Sequence, residues 1–241
     1  MSIVKSLATT TLNTIADALS LQEQGSEAQP YKVLRSAMSP HPVGAARLFH
    51  GAGGEQLVYI GLTVPMIQLD SHMLFCFTAA SSLVPHFTVD AVHAGDHYAF
   101  HLDLIPRVDL GVNLDYMREV YQPLTATHKS AQAIPGLSPA HLSPTQLAVM
   151  SPWMLAHRAD VGAMDAVGQV CSEYLGHWLR LQKTGLSSGA KVHGQTPSER
   201  DLVHRGVLFN REVDPVWLQV DRLLGSDNSE ELRAMLLGRV Q

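Results

Sequence analysis

The sequence predicts an α+β fold: an α/β/α sandwich with a central antiparallel sheet between helical layers. Three observations carry that prediction. Helical periodicity occupies both ends of the chain, β-rich runs fill the stretch from about Ala45 to Leu104, and short turn signals separate those runs. With 241 residues, 46% of them hydrophobic and no shift in composition along the chain, one domain spanning 1–241 is expected.

The first element is a helix. Val4, Ala8, Leu12, Ile15 and Leu19 stand at helical spacing among Thr and Ser, which predicts an amphipathic helix over 4–22, ended by Gly25 to Pro30. The runs ARLFH, QLVYIGLTV, MLFCFTA, HFTVDAV and YAFHLDLI then read as strands of an antiparallel meander. Their turns are placed at Gly51 to Gly54, Asp70-Ser71 and Gly95-Asp96. Asn113 caps a helix reaching about Gln122, where Pro123 stops it, and 129–145 read as a Pro- and Ser-rich connection. The run LAVMSPWMLAHR carries a Ser-Pro that is awkward inside a helix, and its length suits a bulged strand.

Helical spacing returns over 160–182 through Val161, Met164, Val167, Cys171, Tyr174 and Trp178. Beyond a Gly- and Ser-rich loop at 185–190, Ser198 with Asp201 resembles a capping box. Asp214-Pro215 and Ser226 mark two further helix starts, the second before an apolar run ending at Leu237.

Composition excludes several classes. Charged residues are only 16% and the net charge is −5, so no nucleic-acid footprint and no polybasic membrane patch dominates. Cys76 and Cys171 lie apart in apolar stretches without a CxxC pair, which predicts buried reduced thiols rather than a zinc or iron–sulfur site. No secretory leader and no membrane-length apolar run is seen, so a cytoplasmic location is expected.

The chemistry concentrates in one predicted hairpin. If Gly95-Asp96 is its turn, Ala94 faces His97, Asp90 faces His101 and Thr88 faces Asp103. Side-chain alternation then puts His86, Thr88, Asp90, His101 and Asp103 on one face, and Phe87, Val89, Phe100, Leu102 and Leu104 on the other. Two readings of the polar face stand. It is either the wet side of a half-exposed sheet or the floor of a pocket, because burying it without partners or a ligand is costly.

His93, His97 and His101 also suggest a metal. A hairpin puts His93 and His101 on opposite faces, however, and no metal is expected. Gly51-Ala52-Gly53-Gly54 lies between strands rather than before a helix, so it reads as a turn and not a phosphate cradle.

The run HLDLIPRVDLGVNLDYMREVY, 101–121, resembles the segment of red chlorophyll catabolite reductases that reads Leu-Asp-Leu-x-Pro-Arg-x-Asp-Leu followed by Asp-Tyr. PHFTVDAV, VGQVCSEYLGHWLRL, ERDLVHRG and EVDPVWLQVDRLLG resemble the flanking segments of that family, so the likeness runs from about residue 60 onward. The wider group is the ferredoxin-dependent bilin reductases, and the resemblance implies their antiparallel sheet between helical layers. It also implies that LAVMSPWMLAHR is a sheet strand carrying Ser151, Pro152 and Arg158.

By the same resemblance, the activity is reduction of a linear tetrapyrrole similar to red chlorophyll catabolite. Electrons come singly from reduced ferredoxin, protons come from carboxyl groups, and no cofactor is bound. Asp90 takes the acidic position of the central strand, a glutamate in plant members, and Asp214 the C-terminal acidic position. His101 and His86 form the network of Asp90, while Thr88, Asp103, Ser151 and Arg158 are expected at the substrate, Arg158 holding a propionate. The residue-level alternatives are an N-cap role for Asp214 and an ordinary ion pair for Arg158.

An acidic ferredoxin would meet a basic patch, for which 180–211 offers Arg180, Lys183, Lys191, Arg200, Arg205 and Arg211. A solvated helix surface is the alternative for that stretch. A homodimer is compatible with the sequence, and biliverdin reduction or non-catalytic tetrapyrrole binding are the alternative activities.

Overall fold

A computed structural model describes residues 1–187 and 193–239. The first helix, α1 (Ile3–Ala18), is capped by Ser2, whose hydroxyl accepts from the Lys5 amide. It ends four residues before the predicted boundary at 22, because Ser20 turns the backbone left-handed (φ 51°) and sends Gln22–Glu23 into a short strand, β1.

Strands β2 (Lys32–Leu34), β3 (Gly44–His50), β4 (Gln56–Val64), β5 (Leu69–Phe77), β6 (His86–Ala94) and β7 (His97–Ile105) follow. The β4–β5 turn falls at Pro65 to Gln68 rather than at Asp70-Ser71. Pro65 opens a 3-10 turn and Gln68 closes it at φ 51°, so Asp70 and Ser71 lie inside β5. Gly95 sits at φ 59° in the β6–β7 turn, a conformation that glycine adopts without steric cost.

After β7 the chain is more helical than predicted. Helix α2 (Leu114–Val120) passes through a 3-10 turn at Gln122–Leu124 into α3 (Thr125–Gln132). Pro123 therefore sits in the first turn of a helical segment instead of stopping one. The Asn113 side chain does not cap α2; its amide donates to the Asp109 and His193 carbonyls.

The supposed connection at 129–145 also contains β8 (Leu137–Pro139) and the start of α4 (Pro144–Val149). Helix α4 is opened by a capping box between Ser143 and Gln146 with Pro144 at its first position. Only the last third of LAVMSPWMLAHR is strand, the start of β9 (Leu155–Ala159), with Ser151 to Met154 forming an elbow between α4 and β9.

Helix α5 (Val161–Thr184), capped by Asp160, matches the predicted long helix. Helix α6 (Pro197–Leu208) starts from a capping box of Thr196 with Glu199, two residues earlier than predicted, which frees Asp201 to point inward. Helices α7 (Val216–Leu224) and α8 (Ser226–Leu236) complete the fold.

All nine described strands form one sheet, every pairing antiparallel, in the order β1-β3-β4-β5-β6-β7-β9-β8 with β2 also against β3. One sheet face packs Leu57, Leu74, Phe87, Val89 and Leu102 against α1, α5 and the α2–α3 segment. The other packs Val58, Ile60, Phe75 and Phe77 against α6 to α8. The α/β/α sandwich expected from the sequence is thus the observed architecture. Cys76 and Cys171 are both buried and free. Among the described residues no helix is long and apolar enough to cross a membrane.

Candidate functional site

The register of the β6–β7 hairpin matches the pairing read from its turn. Ala94 lies opposite His97, Asp90 opposite His101 and Thr88 opposite Asp103. The face bearing these polar residues is the one covered by α4 and α6 to α8, so it is not the wet side of a half-exposed sheet.

Between that face and its helical cover lies a cavity of about 230 Å³. Its floor includes Met73, Asp90 and His101, its roof Val149 and Met150 at the end of α4, and its side Val213 and Asp214 from the α6–α7 link. Most of the remaining lining is aliphatic, which leaves three ionisable groups in an apolar hollow. A groove of about 380 Å³ between α1 and α5 is roomier, but Asp165 is its only carboxylate.

The three groups act on one another. Asp90 Oδ2 stands 3.7 Å from His101 Nδ1, too far for a good hydrogen bond. Asp90 Oδ1 and His101 Nε2 are buried with no partner at all. Burial raises the Asp90 carboxyl above its ordinary value, against the opposing pull of His101. For His101, burial works downward but is outweighed by Asp90, then Asp103 and Asp214, so its net shift is upward. Asp214 is likewise raised, first by burial and further by Asp90. Its Oδ1 accepts from the Val216 amide at 3.1 Å, so the same residue starts α7 and lines the cavity.

The other predicted site residues are not brought into this group. Thr88 is fully buried and its hydroxyl donates to the Leu74 carbonyl. Asp103 is also fully buried, accepting from the Ser151 amide at 2.9 Å and the Ser151 hydroxyl at 2.5 Å, and neither residue lines the cavity.

His86 lies two rows from Asp90 on the same face, with both ring nitrogens engaged. Nδ1 accepts from the Thr78 amide at 3.0 Å, which places the proton on Nε2, and Nε2 donates to Asp201 at 2.6 Å. Arg158 pairs with Ala99, one row beyond His101, on the cavity side of the sheet with its side chain exposed.

The predicted basic patch is partly consumed by the fold. Arg205 packs over the Phe77 ring at 3.6 Å and bonds the Leu236 carbonyl, and Arg200 donates to the Pro106 carbonyl. Arg211 is shared by Asp221 and Glu230, and Lys191 lies outside the described residues. Arg180 and Lys183 remain exposed at the end of α5.

Sequence reasoning missed two features. The ion cluster of Asp201 with His86, Arg107 and Arg205 includes a bond spanning 115 positions, from His86 to Asp201, which no local pattern reveals. The roof at Val149 and Met150 did have a local signal, the Ser143-Pro144-Thr145-Gln146 start of α4.

Comparison with known protein families finds no match, and comparison with curated protein sequences finds none either. Among solved structures the chain is similar to phytochromobilin synthase from tomato, solved in complex with biliverdin. The TM-score is 0.73 and the identity 18%, over 97% of this chain and 82% of that one. At that identity the likeness is one of fold.

Proposed function

We propose that this protein reduces a linear tetrapyrrole, taking electrons one at a time from reduced ferredoxin and protons from its own carboxyl groups. One observation carries the proposal: the apolar cavity holds Asp90, His101 and Asp214 together, with one buried atom of each of the first two unpartnered. Unpaired buried polar atoms are costly, and they concentrate where a ligand completes them. The fold shared with a protein solved around biliverdin supports the pigment class.

The roles follow from the electrostatics. Asp90, with its carboxyl raised by burial, keeps a proton nearer to neutral pH and donates it to the pigment once an electron has arrived. His101, biased toward imidazolium, returns a proton to Asp90, and Asp214 on the facing wall supplies the second. Two electrons and two protons then balance one reduced double bond. Arg158 is the proposed partner of a substrate propionate, a reading supported by its exposure on the cavity side of the sheet.

A volume of about 230 Å³ is below the roughly 300–1,000 Å³ of pockets that enclose drug-sized ligands. A tetrapyrrole therefore either extends out of the cavity or displaces part of its wall, of which the α4 roof is one side.

The preferred substrate resembles red chlorophyll catabolite, on the strength of the 101–121 segment. Biliverdin is the second reading, favoured by the pigment in the structural neighbour. Anaerobic incubation with ferredoxin, its reductase and NADPH, offering the two pigments separately, tests both. Bleaching of one pigment identifies the substrate, and an unchanged spectrum with both refutes the reductase reading.

A further inference from the structure

Two groups outside the cavity pin the segment that roofs it. The Val149 carbonyl accepts from His204 Nε2 at 2.8 Å, and Ser151 gives both its amide and its hydroxyl to Asp103 at 2.9 and 2.5 Å. Met150, between these anchors, lines the cavity. Asp103 follows His101 on the same face of β7, and it is fully buried.

We propose that Asp103 is a positioning residue. Without touching the cavity it fixes the Ser151 elbow that seats Met150 in the roof, and it places a negative charge beside His101 that keeps the ring protonated, ready to return a proton to Asp90. The inference rests on the reading of Asp90 and His101 as the proton-donating pair.

The groups around the two residues make the charge effect legible. His101 is faced by Asp90 from β6, Asp103 from its own strand and Asp214 from the α6–α7 link. Within the cavity lining, the roof and β9 present uncharged side chains, among them Gln146, Val149, Met150 and Ala156, and Arg158, one row further along β9 on the same side, is the cation on that flank with its side chain exposed. Asp103 is neighboured by His101, Ser151 and the phenols of Tyr121 and Tyr174, which burial keeps protonated. Burial raises the Asp103 carboxyl, opposed first by His101 and then by the two Ser151 bonds. Those bonds favour the anion, and an anion at this range favours a protonated imidazole.

Charge and geometry can be separated. Asp103→Asn keeps an oxygen for the Ser151 amide and lets the hydroxyl turn to the new amide group, but removes the charge. Ser151→Ala keeps the charge and loosens the elbow.

In the full chain with ring-labelled histidine, the His101 resonance, assigned with His101→Gln, is followed through a pH titration. Asp103→Asn should lower its midpoint by about one pH unit, the order expected for removing a nearby opposite charge, and Asp103→Glu should restore it. The alkaline limb of turnover should move the same way with KM little changed. Ser151→Ala should raise KM and leave the midpoint in place.

An unchanged His101 midpoint in folded Asp103→Asn overturns the inference, as does a Ser151→Ala variant that alone shifts it. The titration needs no substrate. A shifted midpoint in a protein that turns over no pigment would therefore strike the proposed function and spare the role of Asp103.

Discussion

Two histidines of the β6–β7 hairpin each face a carboxylate on the same side of the sheet, and the two pairs obey opposite rules. His86 donates to Asp201 at 2.6 Å, and Arg107 and Arg205 stand 3.0 and 3.7 Å from the same carboxylate. Burial holds His86 down to about 4, opposed by Asp201, so it is a neutral donor locked inside an ion cluster. Asp201 is held down to about 2: burial works upward, but His86 and the two arginines prevail. His101 and Asp90 sit 3.7 Å apart over an empty volume, each with an atom unpaired. The Asp201 carboxylate, engaged at both oxygens, clasps α6 to the sheet even though Arg107 Nε in the same cluster has no partner. A pair left incomplete beside a void is available for chemistry.

The comparison can be broken by exchanging charges for amides. Asp201→Asn leaves two buried guanidinium groups without their anion and should cost about 3 kcal/mol of unfolding free energy, read by denaturant titration. A loss below about 1 kcal/mol would show the cluster to be dispensable. Asp90→Asn should do the reverse. It removes an under-partnered buried carboxylate, so thermal stability should hold or rise while pigment reduction falls by roughly a hundredfold or more. Retained turnover with pigment still bound would remove Asp90 from its role.

A smaller effect sharpens the same contrast through pH. His86 has a folded value of about 4 against the ordinary 6.5, so below 6.5 the unfolded chain takes up a proton that the folded one refuses. Stability contributed by the neutral ring is present above that range and is lost as pH falls toward 4. Asp201 extends the loss toward 2. His86→Gln should flatten the melting temperature between pH 6.5 and 4 relative to wild type; parallel curves for the two proteins would contradict this. His101, shifted upward, contributes no such acid lability.

Much of this was legible in the sequence where the determinants are local. The Gly95-Asp96 turn set the β6–β7 register, and with it the placement of Asp90 against His101. Asp214 was readable as a helix start because Pro215 follows it, whereas its expected place at the site came only from the resemblance, and the structure puts it in the cavity lining.

What escaped was either long-range or masked. His86 looked equivalent to His101 by alternation, and only its contact with Asp201 across the fold separates them. Asp201 itself was misassigned to a capping box because Ser198 resembles Thr196, the true cap, in hydrogen-bonding chemistry. The roof was hidden because Ser and Pro, common in loops, also begin helices. The basic stretch at 180–211 is partly taken up by the fold, which charge counted along the sequence does not reveal. Arg205 and Arg211 spend their charge internally.

The hydrogen bond from His204 to the Val149 carbonyl bears on affinity as well as shape. Swinging α4 aside with the Ser151 elbow still pinned breaks that bond, worth about 1 kcal/mol, and re-exposes Val149 at a further cost of roughly 2 kcal/mol. An opening that broke only these two interactions would be populated on the order of one molecule in a hundred. A ligand that needs the open form binds more weakly by that same factor. Affinity is thus set in part by a histidine on α6 that the ligand never meets.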